Sequence, residues 1–126
     1  MPSAVQTDEA PAAIGPYSQA IRAGSLLFIS GQIPLDPATG DVVDGDIAVQ
    51  TRRVMESLGA ILKAAGADFG QVVRTTIFLT DLGNFGQVNE VYGSCFGDPP
   101  PTRATVQVAA LPKGVGVEID AIAYLG

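Results

Sequence analysis

Histidine is absent from this chain of 126 residues, and cysteine occurs once. Histidine is the side chain that most often transfers protons near neutral pH, and it is the commonest protein ligand of transition metals. Any catalysis must therefore use carboxylates, tyrosine, hydroxyl groups or the backbone. The single Cys95 excludes a disulfide within the chain and a cysteine cluster for zinc or iron–sulfur. Because it has no histidine to activate it and follows Tyr92 at helical spacing, we interpret Cys95 as a small packed thiol.

Basic residues are scarce as well. The chain has 7 Lys and Arg against 13 Asp and Glu, which gives a formal net charge of −6. The doublet Arg52-Arg53 is interpreted as part of a solvated helix face. The composition therefore gives little support to a nucleic-acid partner.

Long apolar runs are also missing. Stretches such as Leu26 to Ile29 are far shorter than a membrane span, so no membrane partner is expected. Residues 1–13 carry two acidic residues and no basic one, which fits neither a secretory signal nor a transit peptide. The expected location is the cytoplasm.

The length predicts one domain over residues 1–126, with residues 1–12 as a loose arm. Alternating patterns predict a pair of strands joined at Ala23-Gly24-Ser25, and a further strand over residues 72–79. Asp46 is a suitable N-cap for an amphipathic helix that ends at Gly66. Core packing explains this helix fully.

A second amphipathic helix is predicted to begin after Asp81 or Asn84. Gly86 and Gly93 each cost about 1 kcal/mol relative to alanine within a helix, so close approach of another backbone is an expected compensation. Asn89 falls on the apolar stripe of this helix. A buried amide needs hydrogen-bond partners, so Asn89 either ties down a loop or contacts a ligand.

The segment from Pro99 to Asp120 contains the candidate site. Three prolines precede a strand in which Arg103 lies on the polar side, and a second alternating strand carries Glu118. The turn between them predicts an antiparallel hairpin that brings the guanidinium and the carboxylate close together. On this pattern alone, the favoured interpretation of Arg103 is a surface salt-bridge residue, and that of Glu118 is a solvated strand residue.

Two helices cover only one face of a mostly antiparallel sheet. The other face is too apolar to remain in water, since 47% of the chain is hydrophobic. Association of several copies, most simply as a ring, would bury that face.

Four segments occur in a distinctive order and spacing: residues 13–20 (AIGPYSQA), 28–34 (FISGQIP), 101–106 (PTRATV) and 111–121 (LPKGVGVEIDA). Together they closely resemble the Rid/YjgF/L-PSP family, and within it the RidA-like deaminases of reactive enamines and imines. The resemblance covers residues 10–125.

The resemblance implies a chorismate-mutase-like α+β fold with a mostly antiparallel six-stranded sheet and two helices on one face. It also implies a homotrimeric barrel with three sites between subunits. Such proteins hydrolyse 2-imino acids and their enamine tautomers, such as 2-aminoacrylate, to 2-keto acids and ammonia. No cofactor and no metal is implied.

By position, the resemblance assigns the carboxylate-binding arginine to Arg103 and the water-handling glutamate to Glu118, with Tyr17, Ser30 and Asn89 as further pocket residues. A guanidinium can grip a carboxylate through two parallel hydrogen bonds. A carboxylate can orient water and carry its proton. Without the family, Tyr17 is a turn-packing aromatic and Ser30 a strand-end hydroxyl that bonds its own backbone.

The sequence departs from the family pattern at Thr105, where a cysteine is common. If the backbone of Thr105 contacts the substrate, its side chain need only fit, but it can change which substrate side chains are accepted. The role of Asp120 beside Glu118 stays open. The alternatives are a non-catalytic trimer that binds keto acids or regulates a partner, and an endoribonuclease or translation inhibitor. The net charge of −6 disfavours phosphate binding, so the nuclease ranks last.

Overall fold

A computed structural model describes all residues 1–126 as a six-stranded sheet and two α-helices. The elements are β1 (Ser3–Val5), β2 (Ala20–Ala23), β3 (Leu26–Gln32), α1 (Ile47–Ala64), β4 (Val72–Leu79), α2 (Phe85–Gly93), β5 (Thr102–Gln107) and β6 (Val117–Tyr124). The strand order is β1-β2-β3-β6-β4-β5. Every neighbouring pair is antiparallel except β4 and β5, which are parallel. The α+β class and the six strands are as predicted.

Helix α1 begins and ends where the sequence predicts. The Asp46 carboxylate accepts a hydrogen bond from the Val49 N–H at 3.0 Å, and the chain leaves the helix through Gly66 at a φ of 78°. Its buried residues pack on the sheet and include Val54, Leu58 and Leu62. Neither helix combines the length and apolarity that crossing a bilayer requires.

Helix α2 follows a short 3-10 turn over Leu82–Asn84. The Asp81 carboxylate caps that turn by accepting from the Gly83 N–H at 2.8 Å, while Asn84 occupies the N-cap of α2 without a side-chain bond. A Cβ added at Gly86 or Gly93 would meet no atom within 4 Å. No backbone of this chain therefore approaches these two glycines, in contrast to the expectation.

The amino-terminal segment is not the loose arm that its composition predicts. Strand β1 pairs antiparallel with β2. The buried Gln19 side chain holds the next residues: its Oε1 accepts from the Thr7 N–H at 2.8 Å, and its Nε2 donates to the carbonyls of Thr7 and Pro11 at 3.0 and 2.8 Å. One amide thus satisfies a stretch of backbone that has no sheet partner, and Ala10 is buried in the core.

The predicted hairpin between β5 and β6 is wrong. Strand β4 lies between them, parallel to β5 and antiparallel to β6. Strand β6 has four buried side chains between Val117 and Ala123 and therefore occupies the middle of the sheet, whereas β5 has none and lies at the edge. The link between them passes through a 3-10 turn, with Lys113 at a φ of 58°, and does not reverse the chain tightly.

The core lies between the helices and one face of the sheet. We call the other side, which faces away from both helices, the open face. Its exposed large apolar residues are Leu26, Phe28, Val106 and Tyr124. They project from β3, β5 and β6, so the patch extends across the sheet.

Candidate active site

Arg103 lies on edge strand β5, on the side of the sheet that packs against α2. In the β4–β5 ladder it is paired with Thr75, which is buried in the core. Its Nη1 donates a hydrogen bond to the Asn89 Oδ1. Its guanidinium carbon lies 5.3 Å from the centre of the Phe85 ring and 5.1 Å from that of Tyr92.

A cavity of about 500 Å³ opens beside this guanidinium. Its lining residues are Asn89, Tyr92, Gly93, Pro100, Pro101 and Arg103. The one ion pair in the chain joins Arg53 and Glu56 at 3.5 Å, so Arg103 has no acidic partner here. The surface salt bridge considered for Arg103 is therefore not formed, and Asn89 binds Arg103 and not a loop. The guanidinium keeps free N–H groups for an anion.

Glu118 lies on β6 and points to the open face. Its carboxylate lies directly against Gly31, where any Cβ would overlap it. Gly31 belongs to an irregularity in the β3–β6 pairing between Ile29 and Gln32. A Cβ at position 31 would therefore displace the Glu118 carboxylate from this position.

Burial raises the pKa of Glu118, and the neighbouring negative charge of Asp120 raises it further. Asp120 is held in place because its Oδ1 accepts from the Thr76 N–H at 3.2 Å. A carboxyl group that binds its proton more readily than an ordinary glutamate is better matched to proton transfer near neutral pH.

A second cavity, of about 420 Å³, lies at Glu118 and is largely apolar. It is bounded by residues 11–14 and 31–33, by Pro112 and Lys113, and by Tyr17, which is 54% exposed. The loop that carries Tyr17 turns at Gly15, whose φ of 117° favours glycine. Tyr17 and Glu118 thus face the same space.

Ser30 supports that loop and does not line the cavity. Its Oγ donates to the Ser18 carbonyl at 2.6 Å, and its N–H donates to the Gln19 carbonyl at 2.9 Å. The hydroxyl is therefore bound to a carbonyl 12 residues away and not to its own backbone, in contrast to the alternative considered for it. Thr105 lines neither cavity, and its buried hydroxyl has no hydrogen-bond partner.

The predicted site residues fall into two separate groups within one chain. Arg103 and Asn89 share one cavity, and Glu118 and Tyr17 share the other. In β4, Thr75 is paired with Arg103 and Phe78 with Glu118. Since residues three apart on a strand point to opposite faces, Arg103 and Glu118 lie on opposite sides of the sheet. The expectation that one chain brings them together is wrong.

Sequence reasoning missed three contributors to these surroundings. Gly31 gives Glu118 its space, and Phe85 and Tyr92 flank Arg103. The two aromatic residues belong to the apolar stripe of α2, and the sequence holds no signal that relates them to an arginine on a strand. No three His, Cys, Asp or Glu side chains converge as a set of metal ligands.

Comparison with known proteins places this geometry in a family. The family model described as Endoribonuclease L-PSP matches residues 7–125. Protein DfrA of Myxococcus xanthus is 64% identical over 95% of this chain and 93% of its own length. The mouse protein named 2-iminobutanoate/2-iminopropanoate deaminase is 51% identical over 97% of this chain and 90% of its own length.

Solved structures agree with this match. The crystal structure of E. coli TdcF with bound serine is 46% identical, with a TM-score of 0.92 over 97% of this chain and 98% of that one. Both the sequence and the fold therefore match along nearly the whole chain. The chain belongs to the L-PSP family, the same family that the four sequence segments indicate.

Proposed function

We propose that the protein is a cofactor-independent deaminase that hydrolyses 2-imino acids, such as 2-iminopropanoate, and their enamine tautomers to 2-keto acids and ammonia. Support comes from the mouse relative named for this reaction, which aligns over nearly the whole chain. The observation that carries the proposal is the position of Arg103, which faces an open cavity with no acidic partner in its own chain.

Arg103 would bind the carboxylate of the substrate. A 2-imino acid has one permanent anionic group, and the planar guanidinium can hold it through two charge-assisted hydrogen bonds. Asn89 occupies one N–H group, which leaves the others free. The substrate would therefore be fixed by the group that does not change during the reaction.

Glu118 would orient the attacking water and accept its proton. Water adds to the C=N carbon while the Glu118 carboxylate takes one of its protons and delivers it to the nitrogen, which forms a tetrahedral carbinolamine. Transfer of the carbinolamine hydroxyl proton to the nitrogen and cleavage of the C–N bond then release ammonia and leave the ketone. The raised pKa of Glu118 suits both the uptake and the release of a proton.

The active assembly would be a homotrimer with its sites between subunits, in a chorismate-mutase-like barrel. Arg103 and Glu118 lie on opposite sides of the sheet, so one small substrate can touch both only if they come from different copies. The apolar open face gives a reason for the copies to associate, since patches of this kind mark interaction surfaces. Closed rotational symmetry would limit the assembly to a few copies.

A binding module is the second candidate. E. coli TdcF was crystallised with serine, an amino acid that the reaction proposed here does not consume. The same trimer would then capture small amino or keto acids without converting them. Nuclease activity, which the family description suggests, receives no electrostatic support from a chain with 7 basic and 13 acidic residues.

The deciding experiment measures 2-keto acid release from freshly generated 2-iminopropanoate, with the spontaneous rate subtracted. We expect the unmodified protein to accelerate release, and Arg103→Ala to lose about 10- to 150-fold in kcat/KM, because it removes a charge-assisted pair. Arg52→Ala, an exposed arginine on the outer side of α1, removes the same charge and should keep full activity. Equal activity of Arg103→Ala and Arg52→Ala would remove Arg103 from the mechanism, and binding without turnover by the unmodified protein would favour the module.

A further inference from the structure

The contacts that hold Arg103 are all uncharged. The Phe85 and Tyr92 rings lie 5.3 and 5.1 Å from its guanidinium carbon, and the Asn89 amide accepts one of its N–H groups. We call Phe85 and Tyr92 the aromatic clamp. A carboxylate in their place would also fix the guanidinium, but it would neutralise the charge of Arg103 and use the N–H groups that can bind an anion.

The Tyr92 half of the clamp is itself rigidly held. The Tyr92 hydroxyl lies 2.7 Å from the Thr75 Oγ1, and both residues are almost completely buried, at 4% and 1% exposure. The Tyr92 ring also packs against Phe96 at 4.7 Å between ring centres. Two independent contacts therefore fix the plane of the ring.

The contacts form a closed chain of neighbours. Thr75 is paired with Arg103 across the β4–β5 ladder. Strand β4 therefore both orients Tyr92, through Thr75, and holds β5 by backbone hydrogen bonds. The guanidinium of Arg103 and the ring of Tyr92 are thus both held in position by β4. A shift of α2 alone would be resisted by the Thr75–Tyr92 hydrogen bond.

Tyr92 is also suited to remain neutral. Burial is the largest influence on its hydroxyl and raises its pKa above the ordinary value of 10.0. No negative charge then arises beside Arg103 to compete for its N–H groups. The face of an uncharged ring attracts a cation without occupying the edge of the guanidinium, from which the hydrogen bonds extend.

We propose that Phe85 and Tyr92 are positioning residues, with Tyr92 itself fixed by Thr75. They orient the guanidinium of Arg103 toward its cavity and leave its charge unpaired, so that it binds the substrate anion there. The identity of that anion as a 2-imino acid carboxylate rests on the proposed function. The positioning itself does not.

The first test needs no ligand. Nitrogen-15 NMR of the arginine side chains reports how fast the Arg103 guanidinium rotates about its Nε–Cζ bond and how strongly nearby rings shift its resonances, with Arg103→Lys used to assign the signal. We expect slow rotation and ring-shifted resonances in the unmodified full chain, and faster rotation with lost shifts in Tyr92→Leu. Phe69→Leu is the matched control, because Phe69 extends the same aromatic stack through Phe96 at 5.4 Å without contacting Arg103.

The second test measures the dissociation constant of 2-oxobutanoate, a stable 2-keto acid. We expect it to rise about tenfold in Tyr92→Leu, since the cation–π contact that orients the guanidinium is lost. It should rise less in Tyr92→Phe, which keeps the ring but removes the hydroxyl bonded to Thr75, and it should stay unchanged in Phe69→Leu. If Tyr92→Leu does not fold, Phe85→Leu replaces it, because Phe85 lies at the start of α2 and is only partly buried.

Two outcomes separate this inference from the proposed function. If Tyr92→Leu matches Phe69→Leu in both rotation rate and affinity, the positioning role is wrong even when the unmodified protein hydrolyses imines. If the unmodified protein neither binds 2-oxobutanoate nor hydrolyses imines, the proposed function is wrong, and the NMR comparison alone decides whether the clamp positions Arg103.

Discussion

The two faces of the sheet hold the two halves of the candidate site, and they differ in how much of their surroundings one chain supplies. On the helix side, Arg103 is flanked by two rings and bonded to Asn89. On the open face, Glu118 lies against Gly31 and beside exposed apolar residues that nothing in the chain covers. The Arg103 guanidinium is thus positioned by its own subunit, whereas the surroundings of the Glu118 carboxylate would be completed only by a second copy of the chain.

This difference has a physical basis in how each group must act. A guanidinium that binds an anion has to be rigid and keep its charge, and packed uncharged side chains supply both properties. A carboxyl group that exchanges protons with water needs an environment dry enough to raise its pKa and wet enough to admit the water. An apolar surface closed by a second copy can meet the first requirement, and a cavity that stays open at Glu118 can meet the second. The comparison therefore predicts which variants can complement one another.

The largest effect is expected when variants of the two faces are combined. Arg103→Ala and Glu118→Gln should each lose most activity, the second by about 100-fold or more because the base is removed. An equal mixture, unfolded together and refolded, should recover about a quarter of the unmodified activity, since one in four interfaces in a random ring pairs an intact Glu118 with an intact Arg103. Keto acid release per subunit measures the recovery.

Each variant refolded alone supplies the control for this mixture, and both should show only their own reduced activity while keeping the assembly size of the unmodified protein in light scattering. A mixture that is no more active than the separate variants would mean that each site lies within one chain. In that event the opposite orientation of Arg103 and Glu118 on the sheet would exclude their joint action on one small substrate.

Local signals made part of this arrangement predictable. Asp46 and Gly66 bound α1 because capping depends on a few adjacent residues, and the alternation that places Arg103 and Glu118 on strands is equally local. Strand neighbours are not local. Alternation in β5 and β6 is compatible with a hairpin, but β4 separates them. Strands β4 and β6 each have four buried residues and lie inside the sheet, whereas β5 has none and lies at its edge.

The remaining differences also involve contacts between distant residues. Gln19 holds the segment that follows β1 through bonds to backbone 8 to 12 residues away, which composition cannot reveal. The aromatic clamp joins α2 to β5 through geometry that no short motif encodes. The residues of the candidate site were proposed from the sequence and its family resemblance, but their division between two faces required the register of β4.

A smaller effect is expected from the neighbour of Glu118. Activity should fall as pH drops through the raised pKa of Glu118, because the ionised form accepts the proton of water. Asp120→Asn removes one of the two causes of the raised pKa, so the acid limb of kcat/KM should move to lower pH. It should stay above the ordinary glutamate value of 4.5, since burial is the larger cause. The asparagine Oδ1 can still accept from the Thr76 N–H, which keeps the local geometry.

The pH profile of Glu56→Gln provides the comparison for that measurement. Glu56 is exposed on α1, on the far side of the helix layer, and its change removes the same charge. Its acid limb should coincide with that of the unmodified protein. If Asp120→Asn and Glu56→Gln move the limb equally, the effect belongs to net charge and Asp120 has no particular influence on Glu118.

The smallest effect is expected at Gly86, which tests whether another copy packs against the first turn of α2. In this chain a Cβ at Gly86 meets no atom, and the residue is helical, so Gly86→Ala should raise the free energy of unfolding by about 0.5–1 kcal/mol. Gly24→Ala is matched in open space but sits at a φ of 60°, where alanine is strained, so it should destabilise. Both are measured by urea unfolding at one protein concentration. Destabilisation by Gly86→Ala as well would mean that another copy packs against α2 at Gly86.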